Sequence, residues 1–288
     1  MNTLWQNIQY KMLKSGGRIN LLIGINVLVF LLINIASIIE RLVFRSDVIT
    51  YYSNEYLLLP SYLPKLLTRF WTPLTYMFMH AGIFHILFNM LWLYWMGQIF
   101  EEYLGNKRTI GLYILGGLSG ALFFVAAYNI FPFFAVAVNG STVVGASASV
   151  MAIIVATATL LPDYTISLIL IGPVKLKWIA IFYVIIDFLS IAGANAGGEF
   201  SHLGGALFGF IYIKQLQRGH DWIGGITSIF KSKSNLKVAS KNSDKNPNAK
   251  PRQEEIDRIL DKISQTGYES LNKQEREILF RASKDNEG

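Results

Sequence analysis

Four polar side chains stand in apolar surroundings with types and spacing suited to hydrolysis: Ser147 in VVGASASVMA, His202 in EFSHLGGALFG, and His85 with Asn89 in HILFNM. Serine becomes a nucleophile where a neighbouring base takes its proton, and an imidazole kept neutral by desolvation is such a base. His85 and Asn89 are four residues apart, so they share a helical face and both can donate to an oxyanion. Each residue also has a plainer reading. Ser147, among Gly145, Ala146, Ala148 and Ser149, suits close helix packing; His202, followed by Gly205 and Gly209, lies on a small-residue face of the same use; asparagine in a membrane helix often clamps a neighbour. Ser149 points to another face of its helix and keeps the packing reading. An ionisable side chain in lipid is costly, which tips His202 towards a site facing a bundle interior. No metal and no other cofactor is expected: His80 and His85 are five apart, cysteine is absent, and no H-E-x-x-H occurs.

The elements that must position these residues are membrane helices. Of 288 residues, 52% are hydrophobic and 16% charged, the composition of a multi-pass membrane protein rather than a water-soluble domain. Six segments approach the ~20 apolar residues needed to cross a bilayer, near 20–39, 84–103, 110–130, 143–161, 177–194 and 201–217. The first is too long for a cleaved leader and lacks an A-x-A site, so it reads as a retained span. Lys11, Lys14, Arg18, Lys107, Arg108, Lys175, Lys177, Lys214 and Arg218 all fall on one face, which the positive-inside rule makes cytoplasmic, along with both termini. The even-numbered spans then begin outside. That brings His85, Asn89, Ser147 and His202 to one depth, a turn or two below the outer surface. A net charge of +7 concentrated this way reports orientation, not nucleic-acid binding.

With the residues in this order, WTPLTYMFMHAGIFHILFNMLWLYWMGQIFEEYLG, then GASAS, then SHLGGALFG, the chain resembles the rhomboid intramembrane serine proteases of the bacterial six-span type, over roughly residues 20–217. The resemblance implies an all-α six-helix bundle in the cell (inner) membrane. It assigns Ser147 as nucleophile with Gly145 as the motif glycine, and His202 as base with Gly205 and Gly209 as its helix glycines. His85 and Asn89 become the oxyanion pair, aided by the Ser147 backbone N–H, and His80 a structural histidine upstream of them. Glu101 and Gly105 match an E-x-x-x-G element closing the second span, where the carboxylate braces loops. The implied mechanism is a Ser–His dyad without a required carboxylate, and the implied substrates are single-span membrane proteins cut in or near a helix that unwinds. A water-filled cavity is expected beneath a flexible loop at 194–200.

Three positions depart from the family pattern. Ala148 follows the nucleophile where relatives carry glycine. Trp71-Thr72 replaces Trp-Arg, leaving loop bracing to another residue such as Arg69. Met151 stands one turn after the serine in place of an aromatic ring. Two rival classes are an inactive rhomboid-like protein that binds membrane clients, and a transporter; Asp187 is the only acid well inside a span, and its role is open.

After residue 218 the character changes. Residues 219–251 read as a basic flexible linker near the anionic inner leaflet, and 252–288 as a small helical hairpin. There Ile256, Ile259, Leu260 and Ile263 form a stripe, Gly267 breaks it, and Asn272 with Glu275 makes a capping box before Ile278 and Leu279. The hairpin is either a docking module for an unknown partner or a solubilising tail.

Overall fold

The computed structural model describes residues 17–168, 171–229 and 253–284, in two compact units, Met1–Ser232 and Lys233–Gly288. The first begins with α1 (Arg18–Phe44), whose apolar side chains Leu28, Leu31, Leu32, Ile35, Ile38 and Ile39 are mostly exposed. Lipid is the solvent that tolerates such a surface. A short helix, α2 (Val48–Leu57), follows; Glu40 accepts from Ser46 Oγ and from the N–H groups of Val48 and Ile49, satisfying its first turn. Then come β1 (Leu59–Pro60), α3 (Leu63–Thr68), α4 (Thr72–Thr75), a 3-10 turn at Tyr76–Phe78, α5 (Ile83–Leu104) and α6 (Asn106–Ile130). Gly105, at φ +78°, joins the last two in a conformation that favours glycine.

The centre of the bundle is α7 (Ser147–Leu160), reached through β2 (Thr142–Val143). Every residue from Ala148 to Ala158 is buried, as expected of a helix that is apolar all round and enclosed by others. Around it stand α5, α6, α8 (Leu176–Ser190) and α9 (Ala196–Gln217), with α9 packed most extensively against it. Glycines set this spacing: a methyl group on Gly116 or Gly120 of α6 would lie 2.3 or 2.5 Å from the Cβ of Ala152 or Ala148. On α9, a methyl group at Gly205 would lie 2.0 Å from the Ala148 carbonyl oxygen, and one at Gly209 2.2 Å from that of Ala152. Because the paired residue numbers rise together, α7 and α9 run parallel.

This is a mostly helical membrane bundle. By length and composition, α1, α5 and α6 can cross a membrane. The fourth expected span, 143–161, shrinks to the 14 residues of α7 because 142–143 pair instead with Leu59–Pro60 as an antiparallel ladder. α8 has 15 residues, and α9 has 22 but carries Glu199, His202 and Lys214. The fold is not purely helical: β3 (Thr165–Leu168) and β4 (Gly172–Lys175) form a hairpin between α7 and α8. The expected loop at 194–200 is helix from Ala196 onward, since Ala196, Gly197 and Gly198 are buried in the bundle. The expected linker likewise opens with a helix, α10 (Trp222–Ile229), in which Ile223 meets Gly111 of α6 and Asp221 just before it pairs with Arg108 at 2.7 Å. The rest of that linker, residues 230–251, lies outside the described residues, as do Lys11, Lys14 and the first residue of the expected hairpin.

The second unit holds α11 (Gln253–Thr266) and α12 (Lys273–Lys284), with Gly267 at φ +80° between them. The capping box forms reciprocally: Glu275 N–H donates to Asn272 Oδ1 and Asn272 N–H to Glu275 Oε2, each at 2.9 Å. Lys262 donates to the same Glu275 carboxylate and so ties the two helices together. Ile259 and Leu271 are buried, while Leu260, placed on the inward stripe by its spacing, is 49% exposed.

Candidate active site

Ser147 is the first residue of α7. The turn before it needs glycine: Gly145 has φ +129° and its N–H donates to the Tyr76 carbonyl at 3.0 Å. A methyl group at Gly145 would lie 2.8 Å from both Cε1 and Nε2 of His85 and 3.4 Å from Ser147 Oγ. The serine hydroxyl and the far edge of the His85 ring therefore border the same point. His85 Nδ1 accepts the Ala81 N–H at 3.3 Å, so in the neutral ring the proton is on Nε2, the atom facing Gly145. Ser147, His85 and His202 are half-buried while Gly145, Ala146 and Ala148 around them are buried.

His202 arrives on α9. Since Gly205 meets Ala148 in a parallel pair, one turn earlier His202 stands level with Gly145 and the start of α7. Its hydrogen bond goes to Asp187 of α8, Nδ1 to Oδ1 at 3.1 Å, and Glu199 Oε2 is 3.7 Å from the same nitrogen. Sequence reasoning noticed Asp187 and assigned it nothing. The available signal was an acid in an otherwise apolar helix, which by default faces a functional interior. With Glu199 and His202 it forms a cluster whose ligand atoms lie within 4.8 Å of one another, a grouping the histidine spacing in the sequence did not suggest.

The other expected residues divide. Asn89 is buried, but its amide donates back to the His85 carbonyl at 2.8 Å, so it anchors its own helix as well as standing beside the site. His80 is buried without a hydrogen-bond partner among the described residues and packs edge-on to His85, 5.3 Å between ring centres. Burial, then the neighbouring His85, pushes its pKa down to about 4. Glu101 accepts the N–H groups of Arg18 and Ile19 at 2.9–3.2 Å, so it caps the start of α1. Trp71 donates from Nε1 to the Tyr56 carbonyl at 2.8 Å. Arg69 does the bracing: it pairs with the Glu55 carboxylate at 2.6 Å, donates to the Glu55 carbonyl, and lies 4.6 Å over the Tyr56 ring. Met151 is buried in the core one turn after Ser147. Ser149 Oγ is buried against Gly117 with no hydrogen-bond partner among the described residues, away from the site.

Near 194–200 there is an apolar cleft between α6 and α9, lined by Leu122, Ile130, Phe131, Phe200 and Leu203 among others. A cavity of about 410 Å³ with mixed polar and apolar walls lies between α1, α2 and the segment around His80, with Asn34, Arg41, Asn54 and Val144 in its wall.

Comparison with known proteins gives these features a family. Residues 67–218 match the model of the Rhomboid domain, and residues 242–285 match a family of unknown function, DUF6576. The chain is 30% identical over 160 residues to RHOMBOID-like protein 12, mitochondrial, of Arabidopsis thaliana, covering 52% of this chain and 48% of that protein. It is 27% identical over 150 residues to Presenilin-associated rhomboid-like protein A, mitochondrial, of Danio rerio, covering 51% and 37%. It is 30% identical over 82 residues to Rhomboid protease GlpG of Salmonella newport (strain SL254), covering 23% and 30%. The chain thus spans about half or less of the length of these relatives. A matched domain model over more than half of the chain, containing Ser147, His85 and His202 in the arrangement above, makes this protein a member of the rhomboid family.

Proposed function

We propose that this chain is an intramembrane serine endopeptidase that cuts single-span membrane proteins within or near their helix, with Ser147 as nucleophile and His202 as base. The observation that carries the reading is the shared point beside Gly145, bordered by Ser147 Oγ and His85 Nε2, on a helix start against which α9 brings His202. In the first step Ser147 Oγ attacks the scissile carbonyl carbon while its proton passes to His202 Nε2. The carbonyl oxygen takes the negative charge, met by the His85 Nε2–H, the second amide proton of Asn89 and backbone N–H groups at the start of α7. Collapse expels the amine, which takes the proton from His202, and leaves an acyl-serine. Water, deprotonated by His202, then releases the acid. The hydrogen bonds of His202 do not include one to Ser147, the looser geometry usual before substrate arrives. The cavity that reaches Val144 and His80 lies at the flank of the site and supports entry of the hydrolytic water from that side.

In this reading six helices, α1, α5, α6, α7, α8 and α9, make up the membrane domain over 20–218, in the cell (inner) membrane with both termini cytoplasmic. The clustering of Lys107, Arg108, Lys175, Lys177, Lys214 and Arg218 at the end opposite Ser147 supports that orientation. The rival is a protein that holds a client helix without cutting it. Labelling by a fluorophosphonate together with cleavage of a model single-span substrate separates the two. Labelling that persists in Ser147→Ala, or cleavage that survives His202→Ala, sinks the assignment.

A further inference from the structure

Asp187 is 5% exposed, in the last turn of the apolar helix α8, and its Oδ2 has no hydrogen-bond partner among the described residues. A buried carboxylate costs several kcal/mol unless compensated. Its Oδ1 is hydrogen-bonded to His202 Nδ1, at 3.1 Å. Where the carboxylate is the acceptor, the proton in that bond belongs to the imidazole, and the ring is the Nδ1–H tautomer with its lone pair on Nε2, the nitrogen left to serve the nucleophile.

We propose that Asp187 is a positioning residue that completes a Ser147–His202–Asp187 relay, so that this chain departs from an unassisted Ser–His dyad. The proposal rests on the reading of Ser147 and His202 given above. When Ser147 Oγ attacks, its proton moves to His202 Nε2 and the ring becomes imidazolium, protonated on both nitrogens. Asp187 stays ionised and stabilises that charge. When the amine leaves it takes the Nε2 proton, and the ring returns to the Nδ1–H form. The groups that face His202 are Asp187 from α8, Glu199 from its own helix and His85 across the Gly145 turn. Glu199 is the farther carboxyl, 3.7 Å from Nδ1 with a side chain 14% exposed, and serves as a secondary acceptor. Asp187, Glu199 and His202 could also together ligate a divalent cation, an arrangement that would remove the Nδ1 proton.

The test uses the full chain in lipid nanodiscs with histidine labelled by nitrogen-15. In the wild type, His202 is expected as the Nδ1–H tautomer. Asp187→Asn is expected to slow fluorophosphonate labelling and kcat on a model single-span substrate by about 10²- to 10⁴-fold, with KM moved less than about twofold. Asp187→Glu is expected to recover part of that loss, and Glu199→Gln to cost less than Asp187→Asn. An Asp187→Asn protein with unaltered kcat overturns the proposal while leaving the dyad standing; an Nε2–H tautomer in the wild type overturns it together with the base role of His202 Nε2. Loss of labelling in EDTA with recovery in zinc overturns it in favour of a metal at the trio. Should Asp187→Asn fail to fold, the wild-type tautomer decides alone. A wild type that neither labels at Ser147 nor cleaves overturns the hydrolase reading first, and the role of Asp187 falls with it.

Discussion

The backbone of α9 touches that of α7 where Gly205 meets Ala148: the space for a methyl group on Gly205 is already taken by the Ala148 carbonyl, 2.0 Å away. The obstacle is backbone, not a flexible side chain, so relief requires the helices to separate. Gly205→Ala is therefore expected to cost about 1–3 kcal/mol and to carry His202 away from the start of α7. Thermal unfolding and fluorophosphonate labelling of the variant in micelles read both effects. An unchanged midpoint with full labelling would mean that α9 does not set the site.

Gly145→Ala combines two faults, a positive φ and a methyl group 2.8 Å from the His85 ring. His85 must swing out, and with it goes one oxyanion donor. We expect kcat to fall by about 10²- to 10³-fold at nearly constant KM, measured on a model membrane substrate; a fall confined to KM would place His85 in substrate binding instead.

Glu101 holds the first N–H groups of α1 from another helix. Glu101→Ala removes a cap, a loss of about 1 kcal/mol, and should speed hydrogen exchange at Arg18 and Ile19 while leaving the amides of α7 untouched. Unaltered exchange at the start of α1 counts against the contact.

Asp163 sits between Lys177 Nζ at 2.8 Å and Lys175 Nζ at 3.0 Å, and their hydrogen bonds and charge lower its pKa from 3.8 to about 2. The folded value lies below the unfolded one, so whatever these pairs contribute is complete above about pH 4 and disappears as pH falls through about 2. All three side chains are substantially exposed, so the effect belongs to the titration curve rather than to stability. A carbon-13 titration of the Asp163 carboxyl with a midpoint near 4 would show that the bridge is not formed.

Asn272→Ala should fray α12 by about 1 kcal/mol, because Asn272 Oδ1 accepts the Glu275 N–H while the Glu275 carboxylate returns the bond. Faster hydrogen exchange in the first turn of α12, in the full chain, is the expected readout; protection equal to wild type would mean the box adds nothing.

Much of the site was legible because its residues are chemically out of place in lipid: Ser147, His85 and His202 announce themselves by type, and helical spacing plus charge bias brings them to one level. Asp187 was equally visible, yet only three-dimensional packing could say that α8 turns it towards His202 Nδ1. The hairpin at 165–175 was missed because Thr165–Ile171 is an apolar run whose period does not separate strand from helix, although Gly172-Pro173 was a turn signal beside it. The glycines at 197 and 198 suggested flexibility, whereas Gly197 lies where a methyl group would come 2.8 Å from the Phe124 ring. Small residues mark close approach as often as looseness, and sequence alone does not distinguish the two.

The 14 residues of α7 measure only about 21 Å, short of the ~30 Å of hydrocarbon a bilayer presents. A newly made segment of that length, left by itself in lipid, would bury the unpaired polar ends of its backbone at a cost its side chains do not offset. It can settle only once its longer neighbours have gathered around it. The serine at its tip is therefore held in place by α5, α6, α8 and α9 rather than by the length of its own helix.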